Sequence, residues 1–275
     1  MRDKKICFIG GGNIARSLIG GLIVDGCHVD TISVTDPDPG QCAALSQTFG
    51  VKSFVSNLEG AGQAEVIVLA VKPQVLAAVA REIASIVGDR RPLVISIAAG
   101  IREPDIRRWL GGNAAVVRAM PNTPALLRSG VAALYANEHT SETQREVAES
   151  ILRAVGAVVW LADETLMDAV TAVSGTGPAY FFLFMEIIAE AAQRTGLSEE
   201  VARLLTVETA LGAARMALET SEDLPLLRHQ VTSTGGTTAA AMEVLDTHEF
   251  RELIIEAIDR ARARAVELAD EFGAD

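Results

Sequence analysis

Two clusters of small and hydroxylated residues stand out in this chain, because regular secondary structure does not call for them. The first is Val231-Thr232-Ser233-Thr234-Gly235-Gly236-Thr237-Thr238, which follows a polar helical segment and leads straight into Ala239–Leu245. Glycine lets the backbone turn sharply, and a hydroxyl just ahead of an apolar run signals a helix N-cap. Helix-start N–H groups set among hydroxyls also suit a small carboxylate. The segment therefore reads either as a capped turn or as an anion pocket built from Ser233, Gly235, Gly236, Thr237 and Thr238.

The second cluster is an apolar strand, from Ile6, running into a Gly-x-Gly-x-x-Ala turn through Ile9, Gly10, Gly11, Gly12, Asn13, Ile14 and Ala15. In such a turn the first glycine permits the tight bend and the second lets backbone approach a pyrophosphate. The small last residue lets helix and strand pack closely. Leu18, Leu22 and Ile23 continue on one helical face, and Asp36 follows about twenty residues on, at the end of the next strand, as a dinucleotide site requires. An acid there binds the free ribose hydroxyls of NAD and repels the 2′-phosphate of NADP. No Lys or Arg stands beside it, whereas the hydroxyls of Ser33 and Thr35 are candidate donors to a phosphate.

Further strands end in unusual loops: Ala70-Val71-Lys72-Pro73, then Ser96-Ile97-Ala98-Ala99-Gly100, then Met120-Pro121-Asn122-Thr123-Pro124. Ligands of open α/β sheets sit outside the carboxyl ends of the strands. Small residues and prolines there, with Ile97, Ala98, Ala99 and Asn122 at the edge, let a flat ring lie against rigid backbone. Ser174-Gly175-Thr176-Gly177-Pro178-Ala179-Tyr180 joins two helical segments, with Pro178 suited to the first turn of the second. It is a plain connection or, through Ser174, part of a substrate pocket.

Absences narrow the chemistry. The lysines are Lys4, Lys5, Lys52 and Lys72, and the histidines His28, His139, His229 and His248 have no triad or metal-site neighbours. Oxidation of an alcohol normally needs a Lys or His to take the proton. A cyclic imine can be protonated by solvent before hydride arrives, so a hydroxyl suffices. No metal site is expected.

The positioning elements follow from hydrophobic pattern. Strands are expected at Lys5–Ile9, Thr31–Thr35, Val66–Val71, Leu93–Ile97, Ala115–Ala119, Val131–Tyr135 and Ala157–Leu161. Continuous apolar runs such as Val66–Val71 read as strands covered on both faces. Helices such as Gln74–Val87 and Ser141–Ala154, the latter with a Ser141/Gln144 capping box, lie between them. Strand–helix alternation gives a Rossmann-type doubly wound parallel sheet over residues 1–162. Residues 163–275 read as an all-α domain, with helices at Glu164–Val173, Pro178–Thr195, Ser198–Glu219 and Phe250–Phe272. Those helices are apolar on several faces, more than a domain of this size can bury, so a second subunit is expected to cover them.

A net charge of −12 argues against nucleic acid as a partner. Cys7, Cys27 and Cys42 lack metal-ligand spacing and fit a reduced cytoplasmic protein. No export segment is read at Met1-Arg2-Asp3-Lys4-Lys5. The apolar stretch around Tyr180–Met185, interrupted by Glu186 and Glu190, is expected to be a buried helix too short to span a bilayer.

The glycine turn, Ala70–Pro73, Met120–Pro124, Ser174–Tyr180 and Val231–Thr238 together resemble the signature series of the pyrroline-5-carboxylate reductase family, in order and spacing over nearly the whole chain. The last motif is highly specific; the first is shared by all Rossmann enzymes. The resemblance implies reduction of 1-pyrroline-5-carboxylate to L-proline by NAD(P)H, the last step of proline biosynthesis. It also implies a domain-swapped homodimer with interlocked helical domains, often built into a homodecamer. By resemblance the glycine turn and Ala70–Pro73 hold the cofactor, with Asn57 on its adenosine side. Glu164, Gln230, Thr237 and Thr238 line the substrate pocket, with Thr238 against the ring nitrogen. NADPH is placed first on the resemblance alone, and NADH is expected to work as well. Thr234 stands where the family usually has proline, and Thr176 where it has serine. The rival readings are a β-hydroxyacid or prephenate-type dehydrogenase and a non-catalytic dinucleotide sensor.

Overall fold

The computed structural model describes residues 3–274; the charged start at Met1 and Arg2, and the terminal Asp275, lie outside the described residues. The chain forms two compact units, one of Met1–Thr176 with Ala261–Asp275 and one of Gly177–Arg260.

In the first unit β1 (Ile6–Ile9), α1 (Asn13–Val24), β2 (Ile32–Thr35), α2 (Pro39–Phe49), β3 (Lys52–Phe54), α3 (Asn57–Ala61), β4 (Val66–Leu69), α4 (Pro73–Arg90), β5 (Leu93–Ser96), α5 (Glu103–Trp109) and β6 (Ala115–Pro121) alternate. β7 (Gly130–Ala136), α6 (Glu142–Arg153) and β8 (Gly156–Trp160) complete one eight-stranded sheet in the order β3-β2-β1-β4-β5-β6-β7-β8. Successive β-strand side chains point to opposite faces. Ile6 and Phe8 therefore join Leu18, Leu22, Leu45 and Leu152 under α1, α2 and α6. Cys7 and Ile9 join Leu76, Ile83, Ile106 and Trp109 under α4 and α5. Both faces are covered, which is why the central strands read as unbroken apolar runs. The four residues of β1 and of β4 are all buried.

Two features depart from the expected sheet. β7 runs antiparallel to β6, and β8 is parallel to β7, so the last two strands are reversed. The link from β6 to β7 is only a 3₁₀ turn, Thr123–Leu127, too short for the crossover that parallel pairing needs. β3 carries no apolar run, and as an edge strand of three half-exposed or exposed residues it left no periodic signal.

The chain then enters a 3₁₀ turn at Glu164–Leu166, α7 (Met167–Val170) and a π turn at Thr171–Gly175. α8 (Gly177–Arg194), α9 (Glu199–Glu219), α10 (Leu224–Gln230), α11 (Thr237–Thr247) and α12 (Phe250–Gly273) follow. The last turns of α12 belong to the first unit, where Asp270 pairs with Arg102 at 2.7 Å and Phe272 packs on the α4–α5 side. The compact division falls at Thr176 and is discontinuous.

Ser174–Pro178 leads from the π turn through a bend at Thr176 into α8, with Pro178 in the first turn of that helix as expected. The helical stretch from Glu164 to Arg194, 31 residues, is long and apolar enough by length and composition to cross a membrane. This corrects the expectation of a helix too short for that. The apolar stretch of α8 is not buried within this chain either: Phe181 and Phe182 are 66% and 65% exposed. Of the large apolar residues between Gly177 and Arg260, none is fully buried, and Leu204, Leu211, Met216, Leu253 and Ile255 all face outward.

Candidate active site

The glycine turn has the geometry its sequence requires. Gly10 has φ +99°, and a β-carbon there would sit 2.6 Å from the Ala70 carbonyl oxygen. The turn is thereby pressed against the end of β4, where Ala70 N–H donates to Ile9 O at 2.8 Å. Gly12 is the N-cap of α1 and has no capping side chain, so the first N–H groups of the helix are left unsatisfied by it. A β-carbon at Gly12 would meet nothing within 4 Å. Exposed Gly12 and Asn13 thus open a cradle of free N–H groups at the positive end of a helix, which fits a pyrophosphate. Ile14 is half-buried, and Ala15 is buried against the sheet as helix–strand packing demands.

Asp36 sits beside this turn. Its Oδ2 accepts from Gly11 N at 2.9 Å and its Oδ1 from Asp38 N at 3.0 Å. The two hydroxyls expected as phosphate donors are committed elsewhere, which corrects that reading. Thr35 is fully buried and its Oγ1 donates to Asn57 Oδ1 at 2.7 Å, while Ser33 Oγ faces the Ile6 and Gly60 carbonyls. Residues 33 and 35 share the face of β2 that packs on α3, so neither points to the carboxyl edge. Asn57 is held on its other side by donating to Glu82 Oε2 at 2.8 Å.

At the next strand ends, exposed Lys72 is the N-cap of α4 and Pro73 its first residue, with Val71 half-buried beside them. Ile97 and Ala99 are half-buried at the end of β5, and Ala98 is buried. Asn122 is taken up structurally: Nδ2 donates to Ser174 O at 3.1 Å and Oδ1 accepts from Val131 N at 3.0 Å. The reason lies in Pro178. It stands four residues after Ser174 and has no N–H to give, so the Ser174 carbonyl lacks a helical partner and the Asn122 amide supplies one. The π turn is closed by Thr176 N–H and Oγ1, both donating to Thr171 O, and Ser174 Oγ donates to Val170 O at 3.1 Å. Such bulges concentrate at functional sites.

Sequence reasoning missed the buried polar cluster behind this turn. Arg118, 4% exposed in the middle of β6, pairs through Nη1 with Glu164 Oε1 at 2.9 Å and approaches Asp168 Oδ1 at 4.0 Å through Nη2. Glu164 Oε1 also accepts from Glu103 N at 2.6 Å. Glu103 in turn accepts from Asn137 at 2.7 Å and pairs with Arg107 at 3.1 Å. Burial raises the Glu103 carboxyl above its usual range, against the pull of Asn137 and Arg107 and with the help of the Glu164 and Glu138 charges. The Tyr135 hydroxyl is raised likewise, by burial first and then by Glu164 and Glu103. A charged residue inside the apolar run Ala115–Ala119 was the available signal.

In the second unit, Gly235 has φ +72° and Gly236 N donates to Ser233 O at 3.0 Å, so Ser233–Gly236 is a hydrogen-bonded turn. The N-cap of α11 is Gly236 with no side-chain cap, and Thr237 and Thr238 are the first two helical residues. The expected hydroxyl cap is absent: among the described residues neither threonine hydroxyl has a hydrogen-bond partner, and the first N–H groups of α11 are open. Gln230 Nε2 donates to Glu222 Oε2 at 2.7 Å.

The two halves of this arrangement match known proteins. A family model described as pyrroline-5-carboxylate reductase dimerisation covers residues 164–268, and one described as NADP oxidoreductase coenzyme F420-dependent covers residues 5–100. The pyrroline-5-carboxylate reductase of Pseudomonas aeruginosa is 46% identical over 273 residues, 99% of this chain and 100% of that one. This chain belongs to the pyrroline-5-carboxylate reductase family. It is an oxidoreductase of proline biosynthesis, built as a Rossmann-type sheet with a helical dimerisation domain. The solved structure of the Coxiella burnetii pyrroline-5-carboxylate reductase superposes with a TM-score of 0.93 at 46% identity, covering 97% of this chain and 99% of that one. That of the Plasmodium falciparum enzyme with NADP bound gives 0.87 at 26% identity, covering 98% and 99%. Prephenate dehydrogenase from A. aeolicus, at 13% identity and a TM-score of 0.54 over 96% of this chain and 98% of its own, shares the fold alone.

Proposed function

We propose that this reductase binds its substrate at the start of α11, and the observation that carries the reading is the pair of unpartnered hydroxyls beside an uncapped helix N-terminus. Backbone N–H groups of Thr237 and Thr238 donate to the carboxylate of 1-pyrroline-5-carboxylate, with Ser233, Gly235 and Gly236, whose own N–H closes the turn on Ser233 O, shaping the site. The Thr238 hydroxyl hydrogen-bonds the ring nitrogen and is the catalytic contact. Hydride adds to the imine carbon, the C=N π pair passes to nitrogen, and solvent supplies the proton. The family resemblance adds Thr237, Gln230, Glu164 and Ser174 to the residues that contact the substrate; within the first unit, Oε2 is the Glu164 oxygen left unbonded by Arg118 and Glu103 N.

A bound nicotinamide dinucleotide supplies the hydride. Its pyrophosphate is held by Ile9, Gly10, Gly11, Gly12, Asn13, Ile14 and Ala15, its adenosine side by Asp36 and Asn57. Its nicotinamide side is held by Ala70, Val71, Lys72, Pro73, Ile97, Ala98, Ala99 and Asn122. The free N–H groups at Gly12 and the open space beside it support that assignment, and so does the NADP in the P. falciparum relative. Aligning donor and acceptor supplies most of the acceleration.

The functional domains are residues 1–162 and 163–275, a boundary supported by the family match from 164 onward. The exposed apolar helices of the second unit are covered by another copy of the chain, in a domain-swapped homodimer and, by family resemblance, a homodecamer of a cytoplasmic enzyme. Steady-state kinetics with pyrroline-5-carboxylate and each reduced cofactor test the whole reading. Turnover of a β-hydroxyacid or prephenate in preference to the imine would replace it with the rival dehydrogenase, and absence of any turnover with the sensor.

A further inference from the structure

The cofactor-binding reading above leaves open which dinucleotide the enzyme takes, and the ribose edge decides it. Asp36 is fixed at every polar atom: N–H donates to Phe54 O at 3.2 Å, the carbonyl accepts from Cys42 Sγ at 3.3 Å, and the two carboxylate oxygens accept from Gly11 N and Asp38 N. An ionised carboxylate accepts about four hydrogen bonds. Two are used, so the group keeps acceptor capacity on both oxygens while being unable to swing aside without breaking two bonds. It can take hydrogen bonds from a ribose diol, whose 2′- and 3′-hydroxyls are donors. A 2′-phosphate brings only acceptors and negative charge.

The surroundings offer such a phosphate nothing. The hydroxyls of Ser33 and Thr35 are spent inside the fold. The stretch Thr35–Gly50 contains no Lys or Arg and a second acid, Asp38. Arg16 of α1 lies over the Phe49 ring at 5.9 Å. Phe49 ends α2, about 15 Å of helix from the end that Asp38 caps. Lys52 pairs in register with Ser33, two residues back from the carboxyl edge.

We propose that Asp36 is a specificity-determining residue that makes this reductase favour NADH over NADPH. Two like charges about 4 Å from a carboxylate are enough, even in a water-like medium, to cost roughly tenfold or more in affinity. The test is calorimetric titration of the full-length enzyme with NADH and with NADPH, and with ADP-ribose and 2′-phospho-ADP-ribose as nicotinamide-free probes. The 2′-hydroxyl ligand of each pair is expected to bind at least roughly tenfold more tightly. In Asp36→Ser that ratio collapses toward unity or inverts. Asp36 also braces Gly11, so a purely structural role would weaken both ligands of a pair equally and leave the ratio unmoved; that result overturns the proposal. Asp36→Asn, which keeps an acceptor for Gly11 N but drops the charge, gives the same reading if the serine variant is unstable. Equal or tighter binding of the phosphorylated ligands by the wild type also overturns it. Failure of all four ligands to bind overturns the dinucleotide site itself.

Discussion

Thr238→Ala separates chemistry from architecture, because the structure assigns this hydroxyl no internal bond. Thr238 is the second residue of α11, half-buried, and its helix is capped by Gly236 backbone without any side chain. Removing the hydroxyl therefore orphans no partner, and alanine has the higher helix propensity, by up to about 0.7 kcal/mol. Melting temperature should hold or rise slightly. If the hydroxyl contacts the imine nitrogen, its loss costs on the order of 1.5–3 kcal/mol, the value for a hydrogen bond to a charged group. At about 1.4 kcal/mol per decade that is a roughly ten- to more than hundredfold fall in kcat/KM. Affinity for NADH and NADPH should be nearly unchanged. Thr237→Ala is the control: its neighbouring hydroxyl is equally unpartnered, but its proposed role is a backbone N–H that alanine retains, so the kinetic loss should be smaller. The assay is kcat/KM on both variants beside thermal unfolding. Near wild-type turnover in Thr238→Ala would refute the substrate pocket, and a matched drop in stability for both variants would restore the capping role that the geometry argues against.

Thr234 is the second residue of the Ser233–Gly236 turn, a position where φ near −60° suits proline, and its N–H makes no turn or helix bond. Thr234→Pro should raise stability by about 0.4–1 kcal/mol, seen as a higher melting temperature; a fall would show that the turn has another form. Glu103 has a raised folded pKa, so its contribution is complete below the unfolded value of about 4.3 and is lost as pH rises through the folded one. Glu103→Gln should flatten that decline in urea midpoints measured across the weakly acidic range, and an unchanged slope would contradict the shift. Light scattering at micromolar concentration should find no monomer, since the apolar faces of α8, α9 and α12 are open in one chain; a folded, active monomer would sink the dimer.

What the sequence revealed depended on how local each cause is. Gly10–Gly12 and Ala15 were legible because one short turn sets its own geometry, and β1 and β4 because burial on both faces writes an unbroken apolar run. The reversal of β7 was not, since strand direction follows from the length of the link at Thr123–Leu127 rather than from the strand's own residues. Arg118 was visible as a charge in an apolar strand, but its partners Glu164 and Asp168, and Glu103 linked through Glu164, come from two distant segments and carry no shared spacing. The Ser174–Pro178 motif was legible only in part. Its glycines and proline marked the start of α8, but the π turn before it was hidden, because the group that takes the Ser174 carbonyl, Asn122, comes from the end of β6. The α8 stretch misled for a complementary reason. Phe181, Phe182 and Phe184 are apolar enough to demand cover, and a sequence cannot say whether the cover is the same chain or another. Their exposure in the monomer answers that demand with a partner. The excess of apolar faces over available core was thus the informative signal, and it concerned assembly where the strands concerned the fold.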